Sequence, residues 1–416
     1  MIKLILHFIF FYLLLNFNTT FSKEIVVSPK SFIKSISQAI QISRSGDTIN
    51  IKSGYYTEGN IIINKPLIII GTRNPVIDGL GTGEIFTITS SDVEISGLTI
   101  NNSGVSYLYE NAGIKLKEVT NCRILNNTFI NNFFAIYLAK SSNSIISGNY
   151  IEGMRKKETN SGNGIHLWDC RDIIISNNII LNHRDGIYFE FVRNGRIFDN
   201  RSYNNLRYGL HFMFSDSCKY WENIFESNSA GVAVMYTKNV LMKKNVFRNN
   251  WGTSSYGLLL KDISNSEIKE NQFIGNSVGI LLEGCSRIII NKNDLTENGW
   301  AIKLMANSME NSFSLNNFIN NSFNLSTNSM QNFNKFEGNY WSNYNGYDLD
   351  KNGVGDVPFR PVTMFSVIVE KQHLALILLN SHFVKLLDIA EGVVPSITPN
   401  ALIDPKPSMK AINWSK

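Results

Sequence analysis

A small residue followed by alternating apolar and variable positions recurs along the middle of the chain. Gly-Ile-Lys-Leu begins at residue 113, and equivalent tetrapeptides begin at 135, 164, 186, 209, 231, 257, 279 and 301. Successive copies are therefore 22, 29, 22, 23, 22, 26, 22 and 22 residues apart. Alternation of this kind is typical of a strand with one buried face. A period this short and regular indicates a solenoid in which equivalent strands stack from coil to coil.

A column of asparagines has the same period. Its members are Asn127, Asn149, Asn178, Asn200, Asn223, Asn245, Asn271, Asn293 and Asn317. Asparagine tolerates left-handed backbone at a tight corner, and stacked asparagine side chains can hydrogen-bond between coils. The Leu-x-x-Leu-x-Leu spacing of a leucine-rich repeat is missing. The sequence therefore predicts an all-β, right-handed parallel β-helix over residues 23–360.

The two ends of the solenoid need covers, because an open end exposes unpaired strands. Residues 31–44 place Phe32, Ile36, Ala39 and Ile40 on one helical face, which predicts an N-terminal capping helix. Beyond residue 360 the repeat disappears, and helical periodicity over 363–391 predicts an amphipathic tail within 361–416.

The apolar residues of this tail predict contact with a membrane or a membrane partner. The longest unbroken apolar run, from Leu374 to Leu379, is too short to span a bilayer. The residues assigned to docking are Phe365, Ile368, Leu374, Leu378, Phe383 and Leu387. The alternative is that the helix packs back on the solenoid as a cap. The proline-containing segment 395–407 is interpreted as a linker or a second contact.

The first 22 residues have the pattern of a secretory signal peptide. Lys3 precedes an apolar run from Leu4 to Leu15, and Thr20-Phe21-Ser22 follows it. A membrane anchor is the competing interpretation, but the run is short for a span. We therefore expect export.

Charge and cysteine content narrow the classes further. A formal net charge of +5 is too mild to indicate nucleic-acid binding. Four cysteines in an exported chain could form two disulfides, but the repeat puts Cys122 and Cys218 four coils apart, and Cys170 and Cys285 are similarly distant. We expect all four to fill turns as free thiols.

The outward positions of the repeated strand carry the candidate chemistry. Met213 and Met235 should lie on adjacent coils, with His211 two residues before Met213 on the same face. Thioethers and an imidazole form a soft ligand set that favours Cu(I) over hard cations. The simpler alternative is an apolar patch covered by a loop or a partner.

Two other functions remain open on this fold. His166, Trp168, Tyr188 and Glu190 could stack on and protonate a sugar, as in a secreted carbohydrate-processing lyase or epimerase. However, neither a stacked acidic cluster with a basic residue opposite nor a well-placed carboxylate pair is evident. A third alternative is an adhesin-like surface solenoid without a metal.

A calcium-like loop follows the last coil. Asp348, Asp350, Asn352 and Asp356 have the 1, 3, 5, 9 spacing of such a loop, with Gly353 at the sixth place. The twelfth position is Phe359 rather than Glu, so the match is partial. An Asx-rich turn that closes the solenoid is the alternative.

Several segments together resemble the NosD family, the periplasmic proteins of nitrous oxide reductase maturation. They are the asparagine coils, Arg-Tyr-Gly-Leu-His-Phe-Met-Phe-Ser at 207–215, Ala-Gly-Val-Ala-Val-Met at 230–235, Gly46-Asp-Thr-Ile, and Gly-Asn-Tyr-Trp with the Asp-rich segment from Gly338. The resemblance covers nearly the whole chain after the signal peptide, including the C-terminal helix.

This resemblance implies a non-enzymatic protein that docks on an inner-membrane ABC permease and its ATPase. It would accept copper from a membrane-anchored chaperone lipoprotein and help to load the copper sites of nitrous oxide reductase. Its association with the membrane would be peripheral and would pass through its partner. The resemblance also favours copper at His211, Met213 and Met235.

Overall fold

The chain folds into a right-handed parallel β-helix with three long parallel sheets, which confirms the predicted fold class. A computed structural model describes residues 22–106, 109–154, 157–329, 331–394 and 402–414. The predicted signal peptide comprises residues 1–22, and all of it except Ser22 lies outside the described residues. Every coil from residue 48 to residue 327 contributes one strand to each sheet, so that all three sheets run along most of the solenoid.

The first sheet, sheet A, has 14 strands. They are Glu24–Val27, Thr48–Lys52, Ile68–Thr72, Glu94–Ser96, Arg123–Leu125, Ile145–Ser147, Ile174–Ser176, Arg196–Phe198, Lys219–Trp221, Leu241–Lys243, Glu267–Lys269, Ile289–Asn291, Ser312–Ser314 and Lys335–Glu337. Sheet B has 13 strands. They are Tyr55–Tyr56, Val76–Asp78, Thr99–Asn101, Thr128–Ile130, Tyr150–Glu152, Ile179–Leu181, Arg201–Tyr203, Ile224–Glu226, Val246–Arg248, Gln272–Ile274, Asp294–Thr296, Asn317–Ile319 and Tyr340–Trp341.

Sheet C has 12 strands and contains the tetrapeptide repeat. They are Ile61–Ile63, Phe86–Ile88, Ala112–Lys117, Phe134–Ala139, Ile165–Trp168, Ile187–Glu190, Tyr208–Met213, Ala230–Met235, Tyr256–Lys261, Val278–Glu283, Trp300–Leu304 and Phe323–Thr327. The recurring small residue has a steric cause. A Cβ on Gly209 would lie 2.6 Å from the carbonyl oxygen of Gly231 in the next coil.

The core is built from side chains that stack on their equivalents in neighbouring coils. Phe225, Phe247 and Phe273 are fully buried, with ring centroids 5.6 Å and 4.6 Å apart along the stack. Packing of this kind removes apolar area from water in every coil, and it fixes the register because each side chain meets its own equivalent.

An asparagine ladder runs along the corner between sheets A and B. In each step the amide oxygen of one asparagine accepts hydrogen bonds from the backbone N–H and side-chain amide of its predecessor, as Asn223 does from Asn200 at 3.0 Å. The ladder runs through Asn316 rather than the predicted Asn317. The repeat lengthens by one residue there, so Asn317 instead bonds the C-terminal segment at Ile412.

A second asparagine ladder follows sheet B, and the sequence interpretation missed it. Its members are Asn205, Asn228, Asn250, Asn276, Asn298 and Asn321. The slot before Asn205 belongs to His183, whose backbone N–H donates to Asn205 Oδ1 at 3.1 Å. This substitution of histidine for asparagine lies close to the site described below.

The N-terminal cap is a short helix, α1 (Ile36–Ile42). Ser35 caps it, and Glu58 Oε1 accepts a hydrogen bond from Ile36 N at 2.8 Å. Ile36, Ala39 and Ile40 are buried against the solenoid as predicted, but Phe32 precedes the helix and is fully exposed. Phe32 was therefore wrongly assigned to the buried helical face.

The C-terminal region contains two α-helices joined by a 3-10 helix. These are α2 (Met364–Lys371), the 3-10 helix His373–Leu378, and α3 (His382–Val393). No helix in the described ranges is long and apolar enough to cross a membrane. A further 3-10 helix, Glu158–Asn160, lies in the insertion between two coils of sheet C.

The segment 402–414 packs on the C-terminal end of the solenoid, so residues 402–407 of the predicted linker are not free. Asp404 is completely buried and accepts hydrogen bonds from Gly338 N, Asn339 N, Asn339 Nδ2 and Trp341 Nε1. The carboxylate therefore ends the first asparagine ladder, since it takes the place of the next asparagine.

The four cysteines are buried free thiols, as predicted. Burial raises the pKa of Cys170, Cys218 and Cys285 to about 12. These thiols stay protonated at neutral pH and lack the thiolate character that a soft metal ligand requires.

Removal of one ladder side chain should destabilise the solenoid. Asn223→Ala leaves buried backbone and amide groups of Asn200 without an acceptor, so we expect a loss of about 3 kcal/mol in the free energy of unfolding. Urea denaturation followed by circular dichroism measures this loss. Asn64→Ala, at an exposed asparagine outside the ladders, is the control and should change stability little.

Candidate functional site

The outward face of sheet C aligns side chains in columns, and the register matches the prediction. His166 lies opposite Tyr137 and Tyr188, and Tyr188 lies opposite His211. Adjacent parallel strands are about 4.8 Å apart, so each outward side chain contacts its equivalents above and below. Function on this face therefore depends on which side chains share a column.

Met213 and Met235 are direct register partners on adjacent strands. Both side chains are half-buried, and His211 lies two residues before Met213 on the same outward face. The register partner of His211 is Ala233, a small residue that is itself fully buried. Because methionine side chains are flexible, the two thioethers can approach a common point next to His211.

The orientation of His211 is set by Asp185, which the sequence interpretation missed. Asp185 is completely buried, and its Oδ2 lies 3.3 Å from His211 Nδ1. With Nδ1 donating to the carboxylate, Nε2 carries the lone pair. Nε2 is buried and makes no hydrogen bond within the described chain, so it is the atom that could bind a metal.

The insertion before sheet C residue Ile165 partly covers this pair. Arg207 Nε lies 3.8 Å from Asp185 Oδ1 and 3.4 Å from Glu158 Oε1, which connects the insertion to the buried carboxylate. The guanidinium also lies over the Tyr208 ring, 4.8 Å from its centroid. His211 itself packs on Tyr208 with a centroid distance of 4.6 Å.

The residues considered for sugar chemistry are packed into an aromatic stack. His166 lies between Tyr137 and Tyr188, with centroid distances of 4.9 Å and 4.7 Å. Burial lowers the pKa of His166 to about 3 and raises that of Tyr188 to about 12. His166 is therefore neutral and occupied by its neighbours, which disfavours a role as acid or base on an incoming sugar.

Polar atoms without hydrogen-bond partners concentrate in this region. Asn163 Oδ1, His183 Nε2, Arg184 Nε, Asp185 Oδ1 and His211 Nε2 are all buried and make no hydrogen bond within the part of the chain that the structure describes. Burial lowers the pKa of His183 to about 4. A buried polar atom without a hydrogen bond usually has a structural or functional explanation. Here these atoms lie in the coils around His211.

Across residues 22–106, 109–154, 157–329, 331–394 and 402–414, no three His, Cys, Asp or Glu side chains converge as a metal site. Methionine is outside that set, so the grouping of His211 with Met213 and Met235 rests on the strand register.

The Asp-rich loop is held by hydrogen bonds from its own backbone. Asp348 Oδ2 accepts from Gly353 N at 2.8 Å, Asp350 Oδ1 from Asn352 N at 3.2 Å, and Asp356 Oδ2 from Leu349 N at 2.7 Å. These bonds are those of the alternative interpretation, an Asx-rich turn. Calcium binding at this loop stays a prediction.

The predicted docking residues divide between the interior and the surface. Phe365 is buried and packs against Phe323, and Leu387 is partly buried in the same cluster. Phe365 therefore holds α2 on the outward face of sheet C and is not available to a partner. The Lys303–Glu370 ion pair, at 3.2 Å, reinforces this contact.

The remaining docking candidates form an exposed apolar surface. Leu374, Leu378 and Phe383 are exposed, and Ile368 is half-buried. Ile377, at 89% exposure, extends the same surface, although the sequence interpretation did not select it. The tail therefore combines both predicted alternatives, since one side caps the solenoid and the other faces solvent.

Asp185 was missed because only two outward columns were considered. A third column precedes the recurring glycine, and it contains Asn163, Asp185, Tyr208, Ala230 and Tyr256. A polar or charged residue immediately before the glycine of the repeat is the sequence signal that would have found Asp185.

The fold and site together define a class: an elongated parallel β-helix that presents a histidine and paired methionines on one outward sheet. A family model described as "Periplasmic copper-binding protein (NosD)" matches residues 150–346, the part that contains this site. This match supports membership of the NosD family.

Two relatives support this membership over most of the chain. A "Probable ABC transporter binding protein NosD" of Pseudomonas aeruginosa is 27% identical over 87% of this chain and 88% of its own length. The protein of the same description from Stutzerimonas stutzeri is 26% identical over 86% of each. Among solved structures, the Yersinia enterocolitica family 28 exopolygalacturonase has a TM-score of 0.61 at 11% identity, over 76% of this chain and 78% of its own. That likeness shows the fold alone.

Acid should destabilise the protein partly through His183. Its pKa is about 4 in the folded chain, below the ordinary histidine value of 6.5, so from pH 6.5 down to about 4 the unfolded chain binds a proton that the folded chain refuses. Stability is then lost as pH falls through this window. We expect His183→Asn, which restores the ladder residue, to reduce the fall in melting temperature across it. His373→Asn, on an exposed histidine, should leave the wild-type slope unchanged.

Proposed function

We propose that this protein is a non-enzymatic periplasmic subunit that binds copper as Cu(I) and transfers it during maturation of the copper sites of nitrous oxide reductase. The observation that carries the proposal is the register pairing of Met213 with Met235 beside His211. Two thioethers and an imidazole are ligands that favour Cu(I). The description of the family as periplasmic copper-binding proteins supports the same cargo.

Asp185 would act as a positioning residue for the metal. A carboxylate that accepts from Nδ1 fixes the tautomer of a ligating histidine and raises the basicity of Nε2. The Nδ1–Oδ2 distance of 3.3 Å suits that role. In this proposal copper is a transferred ion and not a permanent cofactor. A site with three ligands favours transfer, because a partner protein can add a further ligand or replace one of the three.

The partners follow from the family and from the tail. The relatives from Pseudomonas aeruginosa and Stutzerimonas stutzeri are described as ABC transporter binding proteins. For this chain we propose docking on an inner-membrane ABC permease with its ATPase, with copper supplied by a chaperone lipoprotein and passed to nitrous oxide reductase. Leu374, Leu378 and Phe383 would contact the permease together with Ile377, because these apolar side chains are exposed on the helical tail.

Loss of the soft ligands should abolish stoichiometric Cu(I) binding. In an anaerobic titration with a Cu(I) chelator as competitor, the wild-type mature chain should bind one ion. Met213→Ala and Met235→Ala should each weaken binding at least about tenfold, because each removes one thioether. Asp185→Asn should weaken it about 10- to 100-fold through the orientation of His211.

Met309→Ala is the matched control, since this methionine is exposed on a distant coil and should bind no metal. Wild-type protein without Cu(I) affinity would reject the proposal. In cells, His211→Ala combined with Met213→Ala should leave the solenoid folded while nitrous oxide reductase lacks copper. A reductase with unchanged copper content would reject the site.

Docking should depend on the exposed side of the tail. Leu374→Ser combined with Ile377→Ser should reduce retention on permease-containing vesicles at least about tenfold without changing the melting temperature, because both side chains face solvent. Gln372→Ser, at an exposed polar position next to them, is the control. Equal retention of the double variant and the wild type would exclude this surface.

A further inference from the structure

Three large aromatic residues stack along one edge of the solenoid, immediately after the strands that carry the candidate ligands. Phe191, Phe214 and Tyr236 each follow the last residue of a sheet C strand, and Phe214 and Tyr236 directly follow Met213 and Met235. Their centroid distances are 5.3 Å and 5.1 Å. The rings are 47%, 43% and 42% exposed, so they are not core residues. We call them the aromatic edge.

The backbone at these three positions is left-handed, with φ values of 57°, 51° and 55°. Bulky side chains rarely occupy this region. Elsewhere the same corner uses polar residues or glycine, namely Glu118, Lys140, Asp169, Asp262 and Gly284. An unfavourable conformation adopted for exposed rings indicates a function outside folding.

Exposed cations border the aromatic edge. They are Arg171, Arg193, Arg196, Lys219 and Lys238, and none forms an ion pair among residues that the structure describes. We call them the basic strip. Beside these cations the corner also contains the carboxylates of Asp169, Asp172 and Asp216. Two of these accept hydrogen bonds from the corner itself, at Asn194 Nδ2 and Lys238 N.

Like charges in the basic strip are direct neighbours. The backbones of Arg171 and Arg193 form a parallel β-bridge between adjacent coils. Arg196 and Lys219 are register partners on adjacent strands of sheet A. Like charges placed opposite each other are unfavourable. The arrangement therefore suits an acidic partner, which would relieve that repulsion.

We propose that the aromatic edge and the basic strip form the docking surface for an acidic protein that exchanges Cu(I) with this chain. This inference rests on the proposed function, since it takes Met213 and Met235 as the site of the exchanged ion. Aromatic residues, methionine and arginine are enriched in protein interfaces, and this surface combines all three. Its position beside the methionine pair brings the partner's metal site next to these ligands.

The ring geometry favours a protein over a polysaccharide. Sugars stack on the exposed face of an aromatic ring. Here Phe191, Phe214 and Tyr236 lie face to face, with interplanar angles of 11° and 15°, and the middle ring has both faces covered. Mostly ring edges remain available, which suits packing against protein side chains.

The surface is also separate from the one proposed for the permease. The helical tail packs on outward residues of sheet C from Tyr256 to Phe323, and the described residues of its apolar cluster include none from strands Tyr208–Met213 and Ala230–Met235. A copper-carrying protein could therefore occupy the aromatic edge while the tail contacts a membrane partner.

The test uses the triple variant Phe191→Asn, Phe214→Asn, Tyr236→Asn. Asparagine tolerates the left-handed conformation, so the fold is retained and the melting temperature should not fall. The probe is the Cu(I)-loaded soluble domain of the copper chaperone lipoprotein, with affinity measured by biolayer interferometry on the full mature chain. We expect at least about tenfold weaker binding of the probe and unchanged affinity for Cu(I) alone.

Two controls separate the aromatic and electrostatic contributions. Glu118→Asn makes the same replacement at the same corner three coils away and should bind the probe like wild type. Arg193→Glu with Lys238→Glu should slow association most at low salt, because charges steer encounter. Lys335→Glu, at a distant exposed lysine of sheet A, should leave the association rate unchanged.

The outcomes distinguish this inference from the copper proposal. A triple variant that binds the probe with wild-type affinity overturns the docking surface, as does wild-type protein that fails to bind the probe. Binding of polygalacturonate that the triple variant loses, with probe binding intact, also overturns it in favour of a polysaccharide. Wild-type protein that binds no Cu(I), yet binds the probe through the aromatic edge, rejects only the copper proposal.

Discussion

Every part of this molecule depends on the coil-to-coil hydrogen bonding of buried asparagines. Each coil has three corners. The corners that carry the asparagine ladders place polar backbone groups in the interior, where an unpaired polar group costs free energy. Asn200, Asn223 and their equivalents satisfy these groups and one another in a continuous chain. Because each amide bonds its own equivalent one coil away, the ladder holds adjacent coils in a single register. The buried Asp404 ends this chain at the C-terminal end.

That fixed register gives the outward face its chemistry. Residues far apart in sequence become neighbours on adjacent strands. Met213 is the register partner of Met235, and His211 is the register partner of Ala233. In a solenoid a site is therefore formed by equivalent side chains of adjacent coils, and not by the walls of a cleft. Closure must come from outside the repeat, and here the insertion at Glu158 and helix α2 cover neighbouring parts of sheet C.

The repeat made the fold and the columns predictable, because period and alternation are properties of the sequence itself. The capping helix, the free cysteines and the adjacency of Met213 and Met235 all followed from it. The prediction failed where the period changed or where contacts were not periodic. The step from Asn293 is 23 residues rather than 22, so the ladder continues at Asn316 and not at the predicted Asn317. Asp185 lies in a periodic column that was not considered, whereas the contact of Phe365 with Phe323 joins the tail to the solenoid and has no period.

Histidine in a ladder slot shows how function can disturb this architecture. His183 takes the place of an asparagine, and its buried ring leaves Nε2 unpartnered in the described chain. An asparagine there would satisfy the next coil as its equivalents do, so the ladder alone gives no reason for histidine. The same coils contain Asp185, His211 and the left-handed Phe191. Several local rules of the solenoid are therefore broken close to the methionine pair, which is where a site should be sought when structural and functional requirements conflict.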